Sequence, residues 1–209
     1  MFAKPFVSNL DGHRDSISVI SKHPKNLSTL ISGSYDGEIR VWDIPQKQCV
    51  RNFVAHEGII RGIECVPSGE NFHTVSDDKT IKTWNSYSQF GADEEPINTI
   101  ISKTILLGIS HHVSQPKFAT CGEVCNLWEE SRNEPIQTYQ WGVDSLHDVN
   151  FNPIETNLLS TCASDRGIIL YDIRDKGPIR KVVMKLRTNR LCWNPMEAFI
   201  FTTASEDYK

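Results

Sequence analysis

Short runs of alternating or continuous apolar residues recur along the whole chain, each three to six residues long and bounded by turn formers. Ile17–Ile20, Leu30–Ser34, Ile39–Trp42 and Cys49–Phe53 form one set of four. Such runs, rich in Ile, Val, Phe and Trp and punctuated by Asp and Gly, predict β-strands. Ile60–Glu64, Phe72–Val75, Ile81–Trp84 and Ile97–Ile101 form a second set. A third comprises Ile105–Ile109, Phe118–Cys121, Val124–Trp128 and Ile136–Tyr139. A fourth comprises Asp148–Phe151, Leu158–Cys162, Ile168–Tyr171 and Ile179–Met184. Leu191–Trp193 and Phe199–Thr203 begin a fifth, and Phe6–Leu10 precedes the first.

The third strand of each set ends on an aromatic residue. Trp42, Trp84, Trp128 and Tyr171 follow one another at intervals of 42, 44 and 43, and an acid or its amide comes next: Asp43, Asn85, Glu129, Asp172. Six residues before the aromatic stand Asp36, Asp78 and Asp165, and four before those stand Ser32, Thr74 and Thr161. Asp207 and Thr203 continue the count. Self-similarity at this period, with a Trp-Asp ending, resembles the WD-repeat propellers. The Gly-His element of that repeat appears as Gly12-His13 and, altered, as Ala55-His56.

The expected fold is therefore all-β: a WD-repeat β-propeller, as an incomplete ring of about four blades plus the start of a fifth. An outer strand occupies 2–10, blade one 11–54, blade two 55–101, blade three 102–140, blade four 141–185 and a partial blade five 186–209. Rings of this kind hide their strand edges by closing, so the chain reads as part of a longer protein or as a truncated product without stable function, with a closed small propeller as the alternative. The segment from Trp84 to Ile97, with Gly91-Ala92-Asp93-Glu94-Glu95-Pro96, reads as an exposed acidic loop.

The resemblance assigns the polar residues. In WD repeats the turn Asp, the His, the strand hydroxyl and the indole N–H form a buried hydrogen-bond chain. Here that implies Asp36–His13–Ser32–Trp42 and Asp78–His56–Thr74–Trp84, which makes these side chains structural rather than catalytic. Unit three lacks the turn Asp, and unit four has Trp141-Gly142 where Gly-His would sit. Residues just before the turn Asp (Tyr35, Asp77 and Ser164) are expected on a rim, where they can meet partners.

Composition narrows the chemistry. The 209 residues carry a net charge of −4, against a grip on nucleic acid by overall charge. Yet Arg174 to Arg190 holds seven cations and one acid, Asp175. Arg180, Lys181, Lys185, Arg187 and Arg190 are a candidate basic stripe for RNA or an acidic partner, against the alternative of an outer strand that blunts its own edge. The first residues contain no apolar run of a secretory leader, so the six Cys read as reduced thiols. Cys121 and Cys125, with His111-His112 upstream, are weighed as a zinc site and assigned to the core, because zinc knuckles favour C-x2-C pairs. No nucleotide-binding, zincin or nucleophile-elbow motif is present, so the expectation is no enzyme, no cofactor and no metal.

Further segments are more specific. Phe2-Ala3-Lys4-Pro5-Phe6, Ala55-His56-Glu57-Gly58, Phe151-Asn152-Pro153-Ile154-Glu155-Thr156, Cys162-Ala163-Ser164-Asp165-Arg166 and Trp193-Asn194-Pro195-Met196-Glu197-Ala198-Phe199-Ile200-Phe201 resemble the Sof-type WD-repeat proteins of eukaryotes, nearly end to end. The resemblance implies a non-catalytic scaffold of the nucleolar small-subunit processome. Its partners would be processome proteins and, indirectly, the small nucleolar ribonucleoprotein and pre-rRNA, with no membrane. It also implies an alternative, the substrate receptor of a cullin-RING ubiquitin ligase. Tyr171-Asp172-Ile173-Arg174 resembles the Trp-Asp-x-Arg box through which such receptors meet the ligase adaptor, with Asp172 and Arg174 as the contacts.

Overall fold

A computed structural model describes residues 8–87, 94–140, 142 and 145–206. Four antiparallel four-stranded sheets follow one another along the chain. The first has β1 (Ile17–Lys22), β2 (Thr29–Ser34), β3 (Glu38–Asp43) and β4 (Gln48–Val54). The second has β5 (Ile60–Cys65), β6 (Asn71–Ser76), β7 (Thr80–Asn85) and β8 (Asn98–Ile101). The third has β9 (Gly108–His111), β10 (Lys117–Cys121), β11 (Cys125–Glu129) and β12 (Gln137–Tyr139). The fourth has β13 (Leu146–Phe151), β14 (Leu158–Ala163), β15 (Gly167–Asp172) and β16 (Pro178–Val183). A two-stranded sheet of β17 (Thr188–Trp193) and β18 (Phe201–Ser205) comes last. In each four-stranded sheet spatial order follows chain order, as a meander of hairpins dictates.

The first strands, β1, β5, β9, β13 and β17, pack side by side in that order and so line an axis. The apolar core is correspondingly divided into clusters between successive sheets. Ile31, Ile39 and Phe53 meet Ile60, Phe72 and Trp84 between sheets one and two. Val75, Ile81 and Ile100 meet Leu106, Phe118 and Trp128 between two and three. Leu127 and Tyr139 meet Val149, Leu159 and Tyr171 between three and four. Cys162 and Ile168 meet Leu191 and Trp193 between four and five. The repeating aromatic is thus the piece each sheet inserts against its predecessor; Trp84 packs on Phe53 at 4.7 Å and Tyr171 on Tyr139 at 4.8 Å.

Sheets one, two, four and five share a detail. Their first two strands slip register once, between Ile17 and Val19, Ile60 and Gly62, Leu146 and Asp148, and Thr188 and Arg190. Each slip leaves one extra residue (Ser18, Arg61, His147, Asn189), as a β-bulge does.

Three expectations need correction. The strand expected at Ile105–Ile109 begins only at Gly108. Leu106 is already buried, and the Leu107 amide donates to the Cys121 carbonyl before the strand proper. No strand occupies residues 8–10, and residues 1–7 of that expected outer strand lie outside the described residues. The acidic loop is not wholly exposed: Glu94 is buried against Arg51, whose Nε donates to Glu94 Oε2 at 2.5 Å and whose Nη1 donates to the Asn85 carbonyl at 2.7 Å. Its Gly91, Ala92 and Asp93, like Trp141 and Asp207, lie outside the described residues.

Candidate functional site

The four bulge residues turn toward one end of the axis. Ser18, Arg61, His147 and Asn189 line a funnel of about 760 Å³, open solvent included, with Tyr35, Leu107, Arg187 and Arg190 among its walls. A bulge re-aims a side chain that regular pleating would send to a neighbouring sheet. Sheet three has no bulge at this place and contributes Leu107, just before β9.

Charge at this mouth is arranged in pairs. Arg61 grips Asp77 with two bonds of 2.9 and 2.7 Å and lies over the Tyr35 ring at 6.0 Å from its centre. Tyr35, 44% exposed, and Asp77 are therefore joined through Arg61 at one rim. Ser164, half-buried, stands in the corresponding turn of sheet four, its amide donating to the Ser145 carbonyl. Arg190 donates to Asp148 Oδ1 at 3.0 Å, while Asp148 Oδ2 accepts from the Leu191 amide and from Asn150. Burial still holds the Asp148 carboxyl above its ordinary range, against those bonds. Arg187 lies 3.4 Å from His147 Nδ1, and burial together with Arg187 lowers the His147 imidazole.

The basic stripe does not form one surface. Lys181 pairs with Asp165 and Arg190 with Asp148, whereas Arg180, Lys185 and Arg187 are exposed and form no carboxylate pair among the described residues. Arg180 stands on β16 at the outer edge and Arg190 on β17 at the axis.

The Tyr171–Arg174 turn ends β15. First strands run away from the mouth, second strands return, and third strands leave again, so this turn lies on the opposite face. Asp172 Oδ1 accepts from the Arg174 amide and from Nε, both at 2.9 Å; Oδ2 accepts from Nη2 at 2.5 Å. Arg174 holds the Asp172 carboxyl below its ordinary range. The Asp172 side chain is nearly covered, but that of Arg174 is 69% exposed, so the turn displays a pre-oriented guanidinium.

The expected hydrogen-bond chain is complete in sheet two. His56 Nδ1 meets Asp78 Oδ2 at 2.8 Å, its Nε2 meets Thr74 Oγ1 at 2.7 Å, and Trp84 Nε1 donates to Thr74 Oγ1 at 3.0 Å. In sheet one His13 Nε2 meets Ser32 Oγ at 2.6 Å and Trp42 Nε1 donates to it at 2.7 Å. The Asp36–His13 link is absent: His13 Nδ1 has no hydrogen-bond partner, and Asp36 accepts from the Glu38 amide instead. The cause is Glu38, which takes the place of Thr80. It pairs with Arg40 at 2.9 Å and comes no nearer His13 than 3.9 Å. Sheet three keeps only Trp128 donating to Thr120 at 2.9 Å.

The sequence reading missed Arg61 and His147 at the mouth. Their signal is structural, since the four bulge residues share no side-chain type. Cys121 and Cys125 face each other across β10 and β11, fully buried, and burial raises both thiols.

Meandering four-stranded sheets around an axis, the first three each locked by a Trp-to-hydroxyl bond, define a WD-repeat chain. The family model described as "WD domain, G-beta repeat" matches residues 4–43 and 47–85. Over all 209 residues the chain is 55% identical to DDB1- and CUL4-associated factor 13 of Danio rerio, covering 47% of that protein. It is 52% identical over 194 residues to the protein of the same name from Homo sapiens, covering 92% of this chain and 44% of that one. The Dictyostelium discoideum protein is 39% identical over 197 residues, 93% of this chain and 44% of its own. The chain is a homologue of these proteins over the part of their length that it matches. It spans about half the length of the curated relatives it matches.

Proposed function

We propose that the chain is a non-catalytic WD-repeat receptor whose Asp172–Arg174 turn docks on the adaptor of a cullin-RING ubiquitin ligase. The observation that carries this is the guanidinium held out by Asp172 on the face opposite the axial mouth. A forked, charge-assisted donor fixed in advance loses little freedom on docking. The names of the relatives, which describe association with DDB1 and CUL4, support the same reading. One face then serves the ligase and leaves the mouth for a substrate or partner. The test is co-purification of DDB1 and CUL4 with the tagged chain. Asp172→Ala combined with Arg174→Ala is expected to lower recovery at least about tenfold, the effect of losing one good charged contact. Unchanged recovery rejects the reading.

A second reading is a nuclear and nucleolar scaffold of small-subunit ribosome biogenesis, with processome proteins as direct partners and pre-rRNA as an indirect one. The exposed cations Arg180, Lys185 and Arg187 favour it, since local positive charge can meet phosphate on a chain that is acidic overall. Its readout is small-subunit precursor RNA in the purified complex and its loss when the three are changed to Gln.

A further inference from the structure

His111 and His112 are adjacent in sequence but serve different neighbours. His112 Nδ1 accepts from the amides of Ser114 and Gln115. His111, at the end of β9, instead faces sheet two. Its ring stacks on that of His73, on β6, with planes 4° apart and centres 5.9 Å apart. Glu130, just past β11, brings Oε1 to 2.7 Å from His111 Nε2.

The hydrogen bonds of these rings fix what their free nitrogens present. His111 Nδ1 lies 2.6 Å from the His112 carbonyl, which only accepts, so Nδ1 carries a hydrogen. In the neutral ring Nε2 is then a lone pair aimed at a carboxylate oxygen. Two lone pairs at that distance repel unless a positive centre sits between them, either a proton or a metal ion. His73 supplies a second observation. Its Nδ1 is 3.0 Å from Thr83 Oγ1, while its Nε2 is buried with no hydrogen-bond partner, in a residue only 3% exposed. Nε2 is thus the one ring nitrogen of His73 left without a partner. His73 Nε2, His111 Nε2 and a Glu130 oxygen all lie within 4.8 Å of one another.

We propose that His73, His111 and Glu130 form a divalent-metal site of the zinc class, which ties sheet two to sheet three. Two imidazoles and a carboxylate suit zinc, with a fourth position left for water. Both rings have their remote nitrogen anchored, to Thr83 and to the His112 carbonyl, as metal-bound histidines do. Ligand atoms around tetrahedral zinc stand roughly 3.3 Å apart. Reaching that spacing from separations of up to 4.8 Å takes closures of up to about 1.5 Å, shared between the two rings, which must tilt out of parallel, and Glu130, whose side chain is 31% exposed. That exposure also provides the entry path. The site is independent of Cys121 and Cys125, which are sealed in the cluster between sheets three and four.

The test is isothermal titration of Zn2+ into the full chain after EDTA treatment and dialysis, with thermal melting alongside. One Zn2+ per chain is expected, with a raised Tm. Glu130→Gln and His73→Gln are each expected to weaken binding at least about tenfold, comparable with losing a supporting contact. Glu130 is half-exposed, so Glu130→Gln keeps the fold and decides the matter if His73→Gln does not fold. A folded wild-type chain that binds no zinc overturns the proposal. So does binding within a few-fold of wild type in Glu130→Gln, because the metal is then held elsewhere, at the exposed Cys192 for example.

Discussion

Sheets one and two use the same pattern of Asp, His, hydroxyl and Trp, and only one of them closes it. In sheet two Asp78 serves four donors at once: His56 Nδ1, the Thr80 amide, the Thr80 hydroxyl and the Glu57 amide. In sheet one Asp36 receives the Glu38 amide, while His13 Nδ1 is buried and unsatisfied. One position makes the difference. Thr80 is short enough to lie inside the network, with its hydroxyl 2.9 Å from His56 Nδ1. Glu38 reaches outward, to Arg40 and to Asn52. A buried polar chain is cooperative only when every member is paired, so identical motif letters carry different energies in the two sheets.

The contrast breaks most sharply at the turn acids. Asp78→Ala strips His56 of its charged partner and removes three further acceptor contacts. A cost of about 3 kcal/mol is expected, as for a broken buried network. Asp36→Ala loses one turn bond and should cost about 0.5–1 kcal/mol. Urea unfolding of the two variants measures the gap. Equal losses would mean that Asp36 does reach His13 in solution.

Sheet two also carries a liability that sheet one lacks. Glu64 on β5 takes the place of Ser21 on β1, and burial pushes its carboxyl up to about 7. In the unfolded chain it ionises at an ordinary value near 4.5. Between those values the folded state holds a proton that the unfolded state has released, so stability falls as pH rises. Above about 7 the penalty is complete. At ~1.4 kcal/mol for each tenfold change in proton affinity, tempered by the water that still reaches Glu64, it amounts to about 2–3 kcal/mol. Glu64→Gln should therefore melt higher than wild type at pH 8 and close to it at pH 4. Parallel melting curves at both pH values would remove Glu64 from the account.

Strand phase and the sheet-locking aromatics were legible because each sits on a local signal: an apolar run, a turn Asp, a Trp at fixed spacing. The slip at Ile105–Ile109 arose where the run Ile105-Leu106-Leu107 is apolar throughout and leaves the strand start undefined. What the pattern could not carry was pairing across sheets. His73 and His111 meet through the stacking of two units, while the adjacent His112 turns to Phe151 at 5.3 Å. Arg51 reaches Glu94 by the same kind of contact between sheets. Arg61 and His147 owe their place at the mouth to a bulge, which is a backbone event without a residue code.

The finest test is to move sheet two's solution into sheet one. Glu38 and Arg40 of sheet one correspond to Thr80 and Lys82 of sheet two, where Lys82 donates to the Ala55 carbonyl at 2.6 Å. Glu38→Thr alone would strand Arg40, whose Nε is already buried and unpaired, so the transfer is Glu38→Thr with Arg40→Lys. A threonine hydroxyl at 38 can stand between His13 Nδ1 and Asp36, as Thr80 does between His56 and Asp78. The pair of changes should gain about 1 kcal/mol, one buried hydrogen bond's net worth. The sharper readout is coupling. In the wild-type background Asp36→Ala is cheap; in the transplanted background it should cost about 1–2 kcal/mol more, the interaction energy of residues newly joined in one network. If that coupling fails to appear, residue 38 is not what separates the two sheets, and the cause lies in how Gly12 seats His13 against Arg40 and Trp42.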